Sequence, residues 1–267
     1  MDAFDNTLIK VYNFFENSIV FLKKVIGQQF VESVFNLFDR LFAVSFLISA
    51  GLLFLSSLVG FVKYDISLYI FAMFLGPIFV LLLGYLSEAF HEACTDSLKS
   101  NPTSLSNEAY LKFSGVINFI FAVIVFLAGI YILIENPMNF DTYTVALVFV
   151  FAFYLLISTA PYFNPELINL NVDKNSSAGD DVIGITSFGL KSLVFQERLL
   201  SRILIIIASV YLLVSMFSDM GIIYFPIGLG FLVGGILLPL VVYFIFILFF
   251  FVNSLLQAIL HIPKLNK

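Results

Sequence analysis

Hydrophobic positions along this chain fall into two patterns, one periodic and one continuous. Over residues 1–40, Phe4, Leu8, Val11, Phe15, Ile19, Leu22, Ile26, Phe30, Val34, Leu37 and Leu41 recur every three or four positions. That spacing predicts an apolar stripe on one or two helices, with Gly27 as the break. From residue 41 the pattern changes to charge-free apolar stretches at 41–62, 66–87, 113–134, 142–165, 203–218 and 220–263. A bilayer core takes roughly 20 apolar residues per helix. The first four stretches each supply one span. The fifth is short, but Leu199 and Leu200 precede Arg202, whose long stem can snorkel to the interface. The sixth fits one long helix or two tight ones.

Charge decides between those two. With six spans, 12 of the 13 Lys and Arg residues, all but Lys63, fall on one side of the membrane. Splitting the last stretch would move Lys264 and Lys267 across and weaken that asymmetry. The bias predicts six spans with both termini, loop 88–112 and segment 162–202 facing the cytoplasm. The expected fold class is therefore all-α: a polytopic membrane helix bundle of six transmembrane helices in three hairpins, plus cytoplasmic amphipathic helices. The expected divisions are 1–40, 41–161, 162–202 and 203–267. Asp2 and Asp5 stand where a signal peptide would be basic, so the chain is expected to stay whole in a plasma membrane or bacterial inner membrane. Asp2 also occupies the position where myristoylation needs glycine.

Composition agrees. The 267 residues are 61% hydrophobic and 12% charged, with a mean hydropathy of +1.04. A soluble domain carries about twice that share of charge. The single Cys94 closes no bridge within the chain, and a net charge of −5 speaks against nucleic acid as a partner. The expected partners are the lipid bilayer and a second membrane protein or another copy of the chain.

Each outer turn carries an aspartate near the start of the returning helix, Asp65, Asp141 and Asp219, placed as an N-cap. Their near-even spacing, and the echo of Phe38-Asp39-Arg40-Leu41 in Gln196-Glu197-Arg198-Leu199, suggest a loose internal repeat. Six spans in three hairpins is also the layout of mitochondrial carriers, but no P-x-[DE]-x-x-[KR] signature follows the odd spans. In 162–202, Pro161 and Pro165 end the fourth span, and 164–181 reads as an irregular loop. Ser177 and Asp180 then cap a helix expected along the cytoplasmic interface.

Candidate chemistry is sparse. Glu88, His91, Glu92, Cys94 and Asp96 gather potential ligands, with Glu88 and His91 on one helical face. A di-metal site needs two such pairs and a zinc pair needs a second His where Thr95 stands, so no metal is expected and the group reads as a solvated helix end. The H-x4-D spacing of glycerolipid acyltransferases fits His91 and Asp96, but on a helix the two diverge and no F-P-E-G block follows. Asp173, Asn175 and Ser177 alternate as in a calcium loop, yet position twelve is Gly184. Gly230 and Gly234 allow close helix approach, with Ser45 and Ser49 as a matching small face, within the chain or between copies.

The interiors of the six spans hold no Asp, Glu, Lys, Arg or His of the kind that couples transport or catalyses reactions; Asn118, Asn253 and Gln257 are the main polarity. The sequence thus points to a non-catalytic subunit or scaffold of a larger membrane assembly, without catalytic residues or cofactor. Its expected docking face includes Phe15 and Leu22. The alternative is an uncoupled channel or carrier for a lipid or apolar solute.

Overall fold

The computed structural model describes residues 2–100, 103–135, 142–173 and 178–265. The chain is 91% helical, and six of its helices are long and apolar enough to cross a membrane. The order is α1 (Asp2–Val25), α2 (Gln28–Tyr64), α3 (Leu68–Ser100), β1 (Thr103–Leu105), α4 (Ala109–Glu135), α5 (Thr142–Ser158), α6 (Ala160–Phe163), a 3-10 turn (Pro165–Ile168), β2 (Leu170–Val172), α7 (Ala178–Phe217) and α8 (Gly221–Leu265). It divides into two compact units. Unit one is Met1–Val34 with Pro102–Phe188; unit two is Phe35–Asn101 with Gly189–Lys267.

The break between α1 and α2 falls at Gly27. No helix ends at residue 40, however. Residues 28–40 are the first turns of α2, which runs on through the first apolar stretch. Likewise 88–100 continues α3, and 182–200 belongs to the 40-residue α7. An unbroken helix of that length measures about 60 Å, roughly twice the hydrocarbon thickness. The interfacial helix expected at 182–200 is thus not a separate element. Charge-free windows mark where a helix is apolar enough to meet hydrocarbon; its hydrogen-bond ladder needs no such boundary.

Unit one is built on α4 and α5. A Cβ at Gly129 would stand 3.2 Å from Phe149 and Val148, and Asn118 Nδ2 donates to Ser158 Oγ at 2.8 Å, so the two helices run antiparallel. Pro161 is tolerated near the start of α6 because that turn's first N–H groups have no helical acceptor. β1 and β2 form a parallel two-stranded ladder pairing Thr103 with Leu170 and Leu105 with Val172. Neither strand was expected. Ser106 binds Asp181 in the first turn of α7 through both its backbone N–H, at 2.6 Å, and its hydroxyl. A Cβ at Gly184 would strike the Ser104 carbonyl, so only glycine fits where α7 crosses β1.

Unit two is held by α2, α3, α7 and α8. Its core joins Phe42, Phe46, Leu53 and Tyr69 with Ile205, Leu212, Leu232 and Ile236. Gly84, Gly76 and Gly60 face Phe46, Leu53 and Tyr69 in turn, which sets α2 antiparallel to α3. Gly228 faces Leu212 and Gly235 faces Ile205, which does the same for α7 and α8. α3 also packs along α8, with the rings of Phe90 and Tyr243 5.2 Å apart.

Of the turn aspartates, Asp65 and Asp219 do not cap the returning helices. Asp65 ends α2 in the left-handed conformation, φ 54°, its N–H bonded to the Phe61 carbonyl, while α3 begins at Leu68. Asp219 instead pairs with Lys63 at 3.4 Å, and the Ser218 hydroxyl accepts the Met220 N–H. Asp141 and Ser177 lie outside the described residues.

Candidate functional site

The charged residues flanking the apolar stretches of α2, α3 and α7 converge in unit two. Arg198 and Arg202 are four apart on α7 and share one face. Both reach the same carboxylate on α2: Arg198 Nη2 donates to Asp39 Oδ2 at 2.5 Å, and Arg202 Nε to Asp39 Oδ1 at 2.8 Å. Arg202 Nη2 stands 3.6 Å from Glu88 Oε2 on α3, an ion-pair distance too long for a hydrogen bond. Each guanidinium also lies over an aromatic ring, Arg198 over Phe35 and Arg202 over Phe42, both at 4.7 Å.

Arg202 does not snorkel. Its side chain is 2% exposed and anchored on Asp39. The helix end expected to be solvated at 88–96 is also partly internal. His91 is buried, and its Nδ1 lies 3.1 Å from Oε2 of buried Glu197. Glu197 Oε1 and Arg198 Nε are buried without a hydrogen-bond partner.

Beside this network opens a polar cleft of about 390 Å³. One wall is α3, where Glu88, Glu92, Thr95, Asp96 and Lys99 line it with His91; the other is Arg198 and Arg202, with Asp39. Among the described residues, no three His, Cys, Asp or Glu side chains converge as a metal site. Cys94, in the same stretch of α3, is fully buried.

Unit one contains an apolar cleft of about 370 Å³ between α4 and α5. Phe119, Phe126, Phe149 and Phe153 line it together with Ala122 and Ala152. Directly beside it, Asn118 spans the two helices through Ser158 and, at 3.4 Å, the Leu155 carbonyl.

The remaining predicted residues separate. Gly230 and Gly234 open onto empty space, and the close approach to α7 occurs at Gly228 and Gly235 instead. At Gly235 an added Cβ would meet Ile205 at 2.8 Å, and its carbonyl accepts the Ser201 hydroxyl. The helical phase set by α7 turns Gly228 and Gly235, seven apart, inward and leaves Gly230 and Gly234 outside. Ser49 is buried and bonds Ser209 of α7 at 2.7 Å, not α8; Ser45 accepts the Ser49 hydroxyl through its carbonyl. On α1, Leu22 is half-buried and Ile26 buried, whereas Val20, Phe21 and Val25 are exposed. The Phe15 side chain lies outside the described residues, as do those of Asn253, Gln257 and His261.

No family model, curated protein or solved structure matches this chain. The functional reading therefore rests on its own residues.

Proposed function

We propose that the chain is a non-catalytic integral membrane subunit or scaffold that docks a membrane-protein partner, or a second copy, through cytoplasmic helical surfaces. The observation that carries this reading is the use made of charge. Asp39, Glu88, His91, Glu197, Arg198 and Arg202 bind one another across three helices. Such groups fix helix positions, as expected of a framework; a proton or ion pathway would hold them at membrane depth. We further propose three membrane hairpins, α2–α3, α4–α5 and α7–α8, with both termini and residues 88–112 and 162–202 cytoplasmic, in a plasma or bacterial inner membrane. The antiparallel contacts and the one-sided Lys and Arg distribution support that arrangement.

The alternative, an uncoupled carrier or channel for a lipid or apolar solute, is favoured by the aromatic cleft between α4 and α5. One pair of variants separates the readings. Phe15→Asp with Leu22→Asp is expected to abolish assembly in mild detergent while membrane insertion persists, because the six spans carry their own insertion signal. Asn118→Leu, directly beside the cleft, is expected to leave assembly and activity intact. Retained assembly in the first variant, with loss of activity in the second, would reject the scaffold and favour the carrier.

A further inference from the structure

The polar cleft of unit two has a charge arrangement beyond what helix packing requires. Seven charged residues line it: Asp39, Glu88, Glu92 and Asp96 against Lys99, Arg198 and Arg202. The balance is near neutral: α3 brings Glu88, Glu92, Asp96 and Lys99, and the facing wall brings Arg198 and Arg202 with Asp39. On the α7 side two guanidinium groups, with five N–H donors each, share the carboxylate of Asp39, and Arg202 also stands 3.6 Å from Glu88. On the α3 side Glu92 and Asp96, four apart and both exposed, make no ion pair or hydrogen bond among the described residues. A cleft with spare donors on one wall and spare acceptors on the other suits a molecule with an anion at one end and a hydrogen-bonding cation at the other.

Position supplies the second constraint. Glu88 directly follows the apolar stretch of α3, Arg202 directly precedes that of α7, and Asp39 stands two residues before that of α2. On the proposed membrane placement, all three meet where hydrocarbon gives way to water. Just inside that boundary, Tyr85 and Leu86 of α3 are exposed, as an apolar track for acyl chains would be. The volume, about 390 Å³, lies within the range of small-molecule sites.

We propose that this cleft binds the headgroup of a zwitterionic phospholipid bearing a primary ammonium, with its phosphate against the partly exposed Arg198 and its ammonium against Glu92 and Asp96. Guanidinium forks match phosphate oxygens. A primary ammonium has three N–H groups to give to carboxylates, whereas a quaternary ammonium has none and is recognised by aromatic cages. Among the described residues, no aromatic side chain lines the cleft. The site therefore selects ethanolamine over choline. This inference depends on the membrane placement of the helices and not on the scaffold reading.

The test uses the full chain, purified in detergent and stripped of lipid, with binding of phosphatidylethanolamine, phosphatidylcholine and phosphatidylglycerol read by native mass spectrometry. The ethanolamine lipid is expected to bind about tenfold more tightly than the choline lipid, equivalent to about 1.4 kcal/mol. Glu92→Gln with Asp96→Asn should reduce that preference to within about twofold, without moving the thermal midpoint in detergent alone. Arg198→Gln should weaken ethanolamine and glycerol lipids together. Equal binding of ethanolamine and choline lipids, preference for the glycerol lipid, or a preference surviving in the Glu92/Asp96 variant would overturn the proposal. Displacement of the lipid by equimolar soluble phosphoethanolamine would overturn the lipid as the occupant, since a membrane ligand must gain from its chains.

Discussion

Replacing Asp39 with Asn removes the one carboxylate that both Arg198 and Arg202 hold. Breaking a buried ion pair from one side costs about 3–5 kcal/mol, because the partner's charge stays buried and loses its compensation. Arg202 meets that condition with a side chain 2% exposed, whereas Asp39 is 31% exposed and water recovers part of the loss. An expected destabilisation of about 2–3 kcal/mol follows. In a chain of this size each kcal/mol moves the thermal midpoint by about 2–4 °C, so Asp39→Asn should melt about 5–10 °C below the parent protein. The chain has no Trp, but its single Cys94 is fully buried, and a thiol-reactive dye reports unfolding without any engineered probe. Arg202→Gln and the double variant complete a thermodynamic cycle. The double variant should be less destabilised than the two single effects added together, by about 1 kcal/mol or more. A midpoint within about 1 °C of the parent, or strict additivity around the cycle, would refute the anchoring role of Asp39.

Gly235→Leu should lower folded yield and thermal midpoint, because its side chain would enter the contact with Ile205 and Ser201, whereas Gly230→Leu should leave the monomer's midpoint unchanged. A midpoint loss in Gly230→Leu equal to that in Gly235→Leu would contradict the packing of α8 on α7. In a Cys94→Ser background, a cysteine at Ser176 should resist an impermeant thiol reagent added outside intact cells and react after permeabilisation; labelling from outside would reverse the proposed orientation.

The six helices long and apolar enough to cross a membrane were legible because hydrocarbon forbids charge, and a charge-free stretch of sufficient length is what that rule demands. The α1–α2 break was legible as well, since Gly27 interrupts a periodic stripe. Helix ends beyond the charge-free stretches left no such record: α3 carries Glu88, His91 and Lys99 in an unbroken ladder. The β1–β2 pairing was invisible for another reason. Its strands have three residues each and lie far apart in the chain, too short for an alternating pattern to emerge. The ionic network lay between these cases. Asp39-Arg40 and Glu197-Arg198 looked like echoes of one another, and Asp39 does bind Arg198. The signal that could have located the site was Arg202, a lone cation between apolar runs, for which burial on a carboxylate was the alternative to snorkelling.

The β1–β2 ladder imposes a rule of parity on the membrane path. Two strands joined by backbone hydrogen bonds must lie on the same side of a bilayer, so the chain from Leu105 to Leu170 crosses it an even number of times. If α4 enters, α5 must return. The ladder also sets an order of events during synthesis, since β2 has no partner to close upon until both passes are in place. A change that stranded α5 on the wrong side would separate β1 from β2 by a full membrane. Backbone amide protection over 103–105 and 170–172 thus becomes a readout of completed insertion, independent of any engineered reporter.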